Sequence, residues 1–198
     1  CVRLRGRTLI YFGGCDYFRL SRHPKILQAV KDGLRRFGLN VAASRVTTGN
    51  HQLYPTLERE LARFFGAEAA VLASSGYVTN LLVAQALAGQ FSHALVDKRT
   101  HVALQDAAQM LNCPVLTFQH RDPTDFAATL QRCGRAVRPI VLTDGMFSRD
   151  GSVAPLRAYL KLLPHDGLLM VDDAHGVGTL GKTGKGSVEL ESIPRDRV

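Results

Sequence analysis

Two carboxylates and an imidazole fall within four residues of one another, Asp172, Asp173 and His175 of the stretch DDAHG. Such a pair closing an apolar run can belong to a functional site. The plainer alternatives are that Asp172 and Asp173 end a strand or bind a metal, and that the histidine is structural. The same stretch runs into GVGTLGKT (176 to 183), which fits the pattern G-x-x-x-x-G-K-[ST]. A phosphate loop of that kind needs a helix directly after it, because the helix N-terminus supplies part of the attraction. Here Gly184, Gly186 and Pro194 stand where that helix should lie, and each disfavours it. The apolar run ending in Asp also lies upstream of the loop rather than downstream. The pattern is therefore read as a coincidence of glycine spacing, and DDAHG needs another account.

Composition narrows the classes. The chain has 198 residues, 45% hydrophobic and 21% charged, which suits one globular core. No apolar run reaches the ~18 residues of a membrane span, and the N-terminus CVRLRGRTLIYF lacks a signal-peptide core. Cys1, Cys15, Cys113 and Cys133 are widely spaced with no C-x-x-C pair. That spacing points to reduced thiols in a cytoplasmic protein and to no metal site. A formal charge of +8 raises the question of nucleic acid. The Lys and Arg residues are spread along the whole chain without a recognition-helix or aromatic-rich basic strand, so a solvated basic surface, or a site for anionic substrates, is the expectation. The first residue is Cys rather than Met, which suggests a fragment.

The elements that must position DDAHG follow from periodicity. The segment PKILQAVKDGLRRF places Ile26, Leu27, Val30, Leu34 and Phe37 on one helical face, with Pro24 in the first turn. A second amphipathic helix is predicted from Thr56, with Leu57, Leu61, Phe64 and Phe65 on its face. A third follows Pro155, with Leu156, Tyr159, Leu160 and Leu163. The apolar runs 69 to 74, 93 to 97, 114 to 118, 139 to 144 and 168 to 173 are predicted strands. They alternate with helical stretches at 77 to 89, 102 to 111 and 124 to 132, which implies an α/β fold with a mostly parallel sheet. Ligands of such sheets collect beyond the carboxyl ends of the strands. Those ends supply SSGYVTN (74 to 80), DKRTH (97 to 101), TDGMFSRDG (143 to 151) and DDAHG.

With these landmarks in order, the chain resembles the α-oxoamine synthase family of pyridoxal-phosphate (PLP) enzymes, of aminotransferase class I/II and fold type I. The matching stretches are YFGGCDYFRLSRHP (11 to 24), YPTLERELARFFG (54 to 66), SSGYVTN, DKRTHVAL, TDGMFSRDGSVAPL and LLMVDDAHGVGTLGKTGKG, and they cover nearly the whole chain. The resemblance implies the three-layer α/β/α large domain of that fold type, with a mostly parallel sheet. Residues 1–52 would be an N-terminal segment leading into it and 53–198 part of the PLP-binding domain. By the same resemblance Asp172 pairs with the pyridine nitrogen, His175 and Ser148 lie at the phenolic oxygen, and His101 stacks on the ring. Ser75, Gly76 and Tyr77 would form the phosphate cup, and Asp173 would stand behind Asp172. Without the resemblance, His101 reads as a helix cap and Ser-Gly-Tyr as a plain strand-to-helix turn.

The reaction implied is condensation of an amino acid with an acyl-CoA or acyl-carrier thioester to an α-oxoamine, decarboxylative in most members, by a homodimer. Three departures bear on it. None of Lys25, Lys31, Lys98, Lys161, Lys182 and Lys185 has the setting of the family's Schiff-base lysine, so the lysine segment and the small domain are expected outside this fragment. Cys15 stands where many members have Asn, and LNVAASRVTTGNHQ (39 to 52) replaces a glycine-serine-rich loop; both changes concern the substrate more than the cofactor. The alternatives are another fold type I enzyme, such as an aminotransferase, and a lysine-less partner subunit without catalysis.

Overall fold

The computed structural model describes residues 1–11, 13–134 and 137–198, which form two units, Cys1–Thr56 and Leu57–Val198. Phe12 of the stretch 11 to 24 lies outside the described residues. The first unit opens with a hairpin that periodicity does not announce, β1 (Val2–Leu4) and β2 (Arg7–Leu9), paired antiparallel with Leu4 opposite Arg7. Arg5 and Gly6 connect them, both at positive φ, 48° and 75°, the turn whose twist suits a two-residue hairpin. Helix α1 (Pro24–Phe37) has the expected bounds, with Pro24 in its first turn. Its apolar stripe is open: Ile26, Leu27, Val30 and Leu34 are each 41 to 54% exposed.

Helix α2 (Leu53–Phe65) starts three residues before the predicted Thr56. Pro55 is tolerated in a first turn, and His51 Nδ1 accepts the Leu53 N–H at 3.2 Å, doing the capping expected of Thr56. In the second unit follow α3 (Gly76–Ala86), β3 (His93–Asp97), α4 (Val102–Gln109), β4 (Val115–Phe118) and α5 (Pro123–Arg132). The chain continues through β5 (Pro139–Asp144), α6 (Leu156–Leu162), β6 (Leu168–Asp172) and the single turn α7 (Ser187–Leu190). Leu163, expected on the third helix, lies just past its end in extended backbone.

Four of the five predicted strands form one all-parallel sheet in the order β4-β3-β5-β6. The fifth, 69 to 74, is not a strand. Strand identity needs a neighbouring ladder, and β6 ends the sheet among the described residues. The run lies extended instead, with Val71 83% exposed and the Leu72 N–H taken by Glu58 Oε1 at 2.9 Å.

The three layers are visible in how successive strand residues part. Leu95, Phe118, Val141 and Leu169 turn to one face, where they bury Phe126 of α5, Leu156 and Tyr159 of α6 and Val188 of α7. Ala94, Val96, Ile140, Leu142 and Met170 turn to the other, against Ala84 of α3 and Leu104, Ala107 and Ala108 of α4. Period-two alternation buried on both sides explains why these strands read as unbroken apolar runs.

Candidate active site

Because the strands run parallel, Asp97, Asp144 and Asp172 all end at one edge of the sheet. The register places Asp144 directly opposite Asp172. Asp172 Oδ2 accepts from the amide of Asn80, one turn into α3, at 2.7 Å, and its Oδ1 from the Ala174 N–H at 3.2 Å. Asn80 also donates to the Gly76 carbonyl at 3.2 Å. One buried amide therefore ties the end of β6 to the start of α3, where Ser75 caps the helix by accepting the Val78 N–H at 3.2 Å. The N–H groups of Gly76 and Tyr77 are those that helix geometry leaves without an intrahelical acceptor. A Cβ added at Gly76 would meet nothing within 4 Å, so the backbone there is open to a ligand. The Tyr77 hydroxyl donates to Asp106 Oδ2 of α4 at 2.5 Å, and this bond holds the phenol above its ordinary pKa.

His101 caps α4, its Nδ1 accepting the Ala103 N–H at 3.1 Å. The capping bond leaves the ring exposed. Its backbone N–H donates to Asp144 Oδ2 at 2.8 Å. Neither Asp144 within TDG nor Asn80 within SSGYVTN has a role that the sequence alone assigns. The signal for both is a polar residue inside an otherwise apolar element.

Burial pushes the Asp144 carboxyl up to about 6, against the pull of the His101 N–H and the Thr100 hydroxyl and with added repulsion from Asp172. A raised folded pKa means that the folded state binds the proton more tightly than the unfolded chain. Asp144 thus favours folding below its unfolded value of 3.8 and loses that contribution as pH rises through about 6. Asp144→Asn, shaped like the protonated acid, is expected to remove about 3 kcal/mol of pH-dependent destabilisation between about pH 4 and 7. Urea midpoints at the two ends of that range measure it; an unchanged pH slope would contradict the burial argument.

His101 and Ser148 line one cavity of about 230 Å³ together with Lys98, Arg99, Arg149 and Asp144. Asp172, His175 and the Ser75–Tyr77 turn lie outside its lining. Ser148 is exposed in the turn after β5, and His175 is half-buried in the turn after β6. The GVGTLGKT loop holds an anion of its own. Glu189 accepts the N–H groups of Thr183 and Lys185, each at 3.0 Å, and the Thr183 hydroxyl at 2.7 Å. The Thr183 hydroxyl contributes most to keeping that carboxyl below its ordinary value. The donors a phosphate would need are thus engaged, and the helix that follows is four residues long. Among the described residues no group of three or more His, Cys, Asp or Glu could hold a metal ion, and no helix is long and apolar enough to cross a membrane.

The family model described as aminotransferase class I and II matches residues 8–195. The 8-amino-7-oxononanoate synthase of Thioalkalivibrio sulfidiphilus is 39% identical over 194 residues, 98% of this chain and 50% of that protein. The enzyme of the same name from Hahella chejuensis is 40% identical, over 93% of this chain and 47% of its own. Among solved structures, serine palmitoyltransferase of Sphingomonas wittichii superposes with a TM-score of 0.87 at 29% identity, covering 96% of this chain and 48% of that one. The S. paucimobilis serine palmitoyltransferase, solved with PLP–myriocin bound, has a TM-score of 0.87 at 28% identity, with the same coverage. The chain spans about half the length of the curated relatives it matches.

Proposed function

The chain belongs to the aminotransferase class I and II family, with α-oxoamine synthases among its relatives, and from that premise we propose that it forms the cofactor-binding part of a PLP-dependent acyltransferase. The full-length protein condenses an amino acid with an acyl-CoA or acyl-carrier thioester. Residues 53–198 belong to the PLP-binding large domain, and 1–52 lead into it.

The observation that carries this reading is the link Asp172–Asn80–Gly76 through the buried Asn80 amide. It sets a carboxylate for a ring nitrogen at a fixed place relative to open N–H donors for a phosphate, the two polar ends of PLP. The residues present fit the group. Ser75, Gly76 and Tyr77 hold the phosphate at the α3 N-terminus. Asp172, held by Asn80 and the Ala174 N–H, would accept the hydrogen bond of the protonated ring nitrogen and keep the proton there. His101 offers a flat, exposed ring fixed by its capping bond, and His175 and Ser148 address the phenolic oxygen. When bound, PLP supplies an electron sink for charge developing at the amino-acid α-carbon.

Lys98, Arg99 and Arg149, around the cavity beside His101, give the thioester's anionic groups a positive approach. The open apolar stripe of α1 suits a homodimer, and the four free cysteines suit the cytoplasm. Coenzyme A release on mixing the full-length protein with PLP, small amino acids and acyl-CoA tests the reading. Release is expected, with KM for the thioester rising as salt screens the cavity and after Arg149→Gln. Amino-group transfer without coenzyme A release would assign the protein to the aminotransferases instead.

A further inference from the structure

Adjacent residues of an extended chain point to opposite sides, and the two carboxylates of DDAHG do so. Asp172 meets Asn80 of α3. Asp173 meets Ser187, the first residue of α7, whose N–H donates to its Oδ2 at 2.6 Å. The Asp173 carbonyl accepts the N–H groups of Gly176 and Val177 at 3.0 and 2.9 Å, which closes a tight turn around His175. Burial raises the Asp173 pKa, while the Ser187 N–H pulls it back.

Three glycines from separate segments wall this carboxylate. A Cβ built at Gly145 would stand 2.2 Å from Asp173 Oδ1, one at Gly176 2.0 Å from the same oxygen, and one at Gly186 2.0 Å from Oδ2. No side chain fits at Gly176 or Gly186 unless the carboxylate moves, nor at Gly145 unless the Ser187 hydroxyl, 2.2 Å from the added Cβ, moves as well. Gly186 adds a backbone reason, a φ of +88° that side chains rarely adopt. The glycines also bring the segments together: the Gly145 N–H donates to the Asp172 carbonyl at 2.8 Å. Members of this cage stand next to site residues in the chain, for Gly145 follows Asp144, Asp173 follows Asp172 and Gly176 follows His175.

We propose that Asp173 is a positioning residue whose carboxylate, enclosed by Gly145, Gly176 and Gly186, fixes the ends of β5 and β6 against α7 and so sets the mutual placement of Asp144, Asp172 and His175. What the site holds rests on the PLP reading above; the cage itself rests on geometry alone. Asp173 acts through its neighbours, on the side of the sheet away from Asn80, and a disturbance there moves three site residues together.

The test uses the full-length protein with Asp173→Ala, Asp173→Asn and Gly176→Ala, and Phe126→Ala as a control that loosens the core at a residue with no exposure. PLP affinity by fluorescence titration and the pH midpoint of the bound-cofactor absorption are measured beside thermal stability. Asp173→Ala and Gly176→Ala are expected to weaken PLP by the roughly tenfold to hundredfold that loss of an orienting partner costs, and to displace the absorption midpoint. Asp173→Asn, which keeps an acceptor for the Ser187 N–H, is expected to fall between them and the unmodified protein. Phe126→Ala is expected to lower stability and leave affinity and midpoint alone. Loss of stability in the Asp173 and Gly176 variants with both readouts unchanged would overturn the proposal. If the unmodified protein takes up no PLP, the functional reading falls by itself. The cage is then judged by amide exchange, which Asp173→Ala must speed at Gly145, Gly176 and Ser187 more than in β3; equal acceleration everywhere overturns it.

Discussion

Asp172→Asn in the full-length protein is expected to lower kcat/KM for coenzyme A release by roughly a hundredfold to a thousandfold, the range seen when one preorganised electrostatic partner is removed. The substitution is nearly isosteric, so the loss reflects charge together with the one N–H acceptor that the amide gives up. An amide at the end of β6 can still be placed by its neighbours, but it cannot hold a proton on a ring nitrogen. Each unit by which the nitrogen's pKa falls is worth about 1.4 kcal/mol between its two forms. PLP affinity should fall far less, because the phosphate donors at Gly76 and Tyr77 belong to α3 and stay in place. The predicted signature is thus a collapse in kcat with a modest change in cofactor binding. An Asp172→Asn variant within threefold of the unmodified rate would remove Asp172 from its assigned role.

Phe118→Ala is expected to give the largest loss of stability, about 3–5 kcal/mol, because a large aromatic is deleted from a packed interior. Phe118 is 1% exposed at the end of β4. Its ring packs edge-on to Phe126 at 5.1 Å and Tyr159 at 5.3 Å, so two helices lean on one side chain. The effect reaches the site edge, since the Phe118 carbonyl accepts the Lys98 N–H at 3.0 Å, beside the buried end of β3 at Asp97. Urea denaturation measures the loss; a cost below about 1 kcal/mol would mean that the aromatic cluster closes over the gap.

Much of this arrangement can be read from residue order, and what cannot has physical reasons. The runs 93 to 97 and 139 to 144 are apolar throughout because helices cover both of their faces, and the sheet and its direction follow from them. The run 69 to 74 has the same composition but lacks a ladder partner among the described residues, a property of its surroundings rather than of its own residues. Thr56 looks like a helix cap, yet His51 caps the helix from further upstream. His101 can be picked out as a candidate only through resemblance, since its visible local work is capping α4. Asn80 looks like one polar residue within GYVTNLLVAQ, and its meaning comes from Asp172, ninety-two residues away. Gly145, Gly176 and Gly186 can be counted in the chain, but the carboxylate they enclose cannot.

The central claim is that the edge carrying Asp172, Asn80 and the α3 N-terminus holds PLP, and a visible absorption spectrum tests it most directly. The full-length protein is incubated with PLP, freed of excess and scanned before and after borohydride. The account predicts a stoichiometric, borohydride-sensitive visible band that Asp172→Asn shifts in position or pH dependence. Absence of retained cofactor, or a band that Asp172→Asn leaves unaltered at every pH, would contradict it.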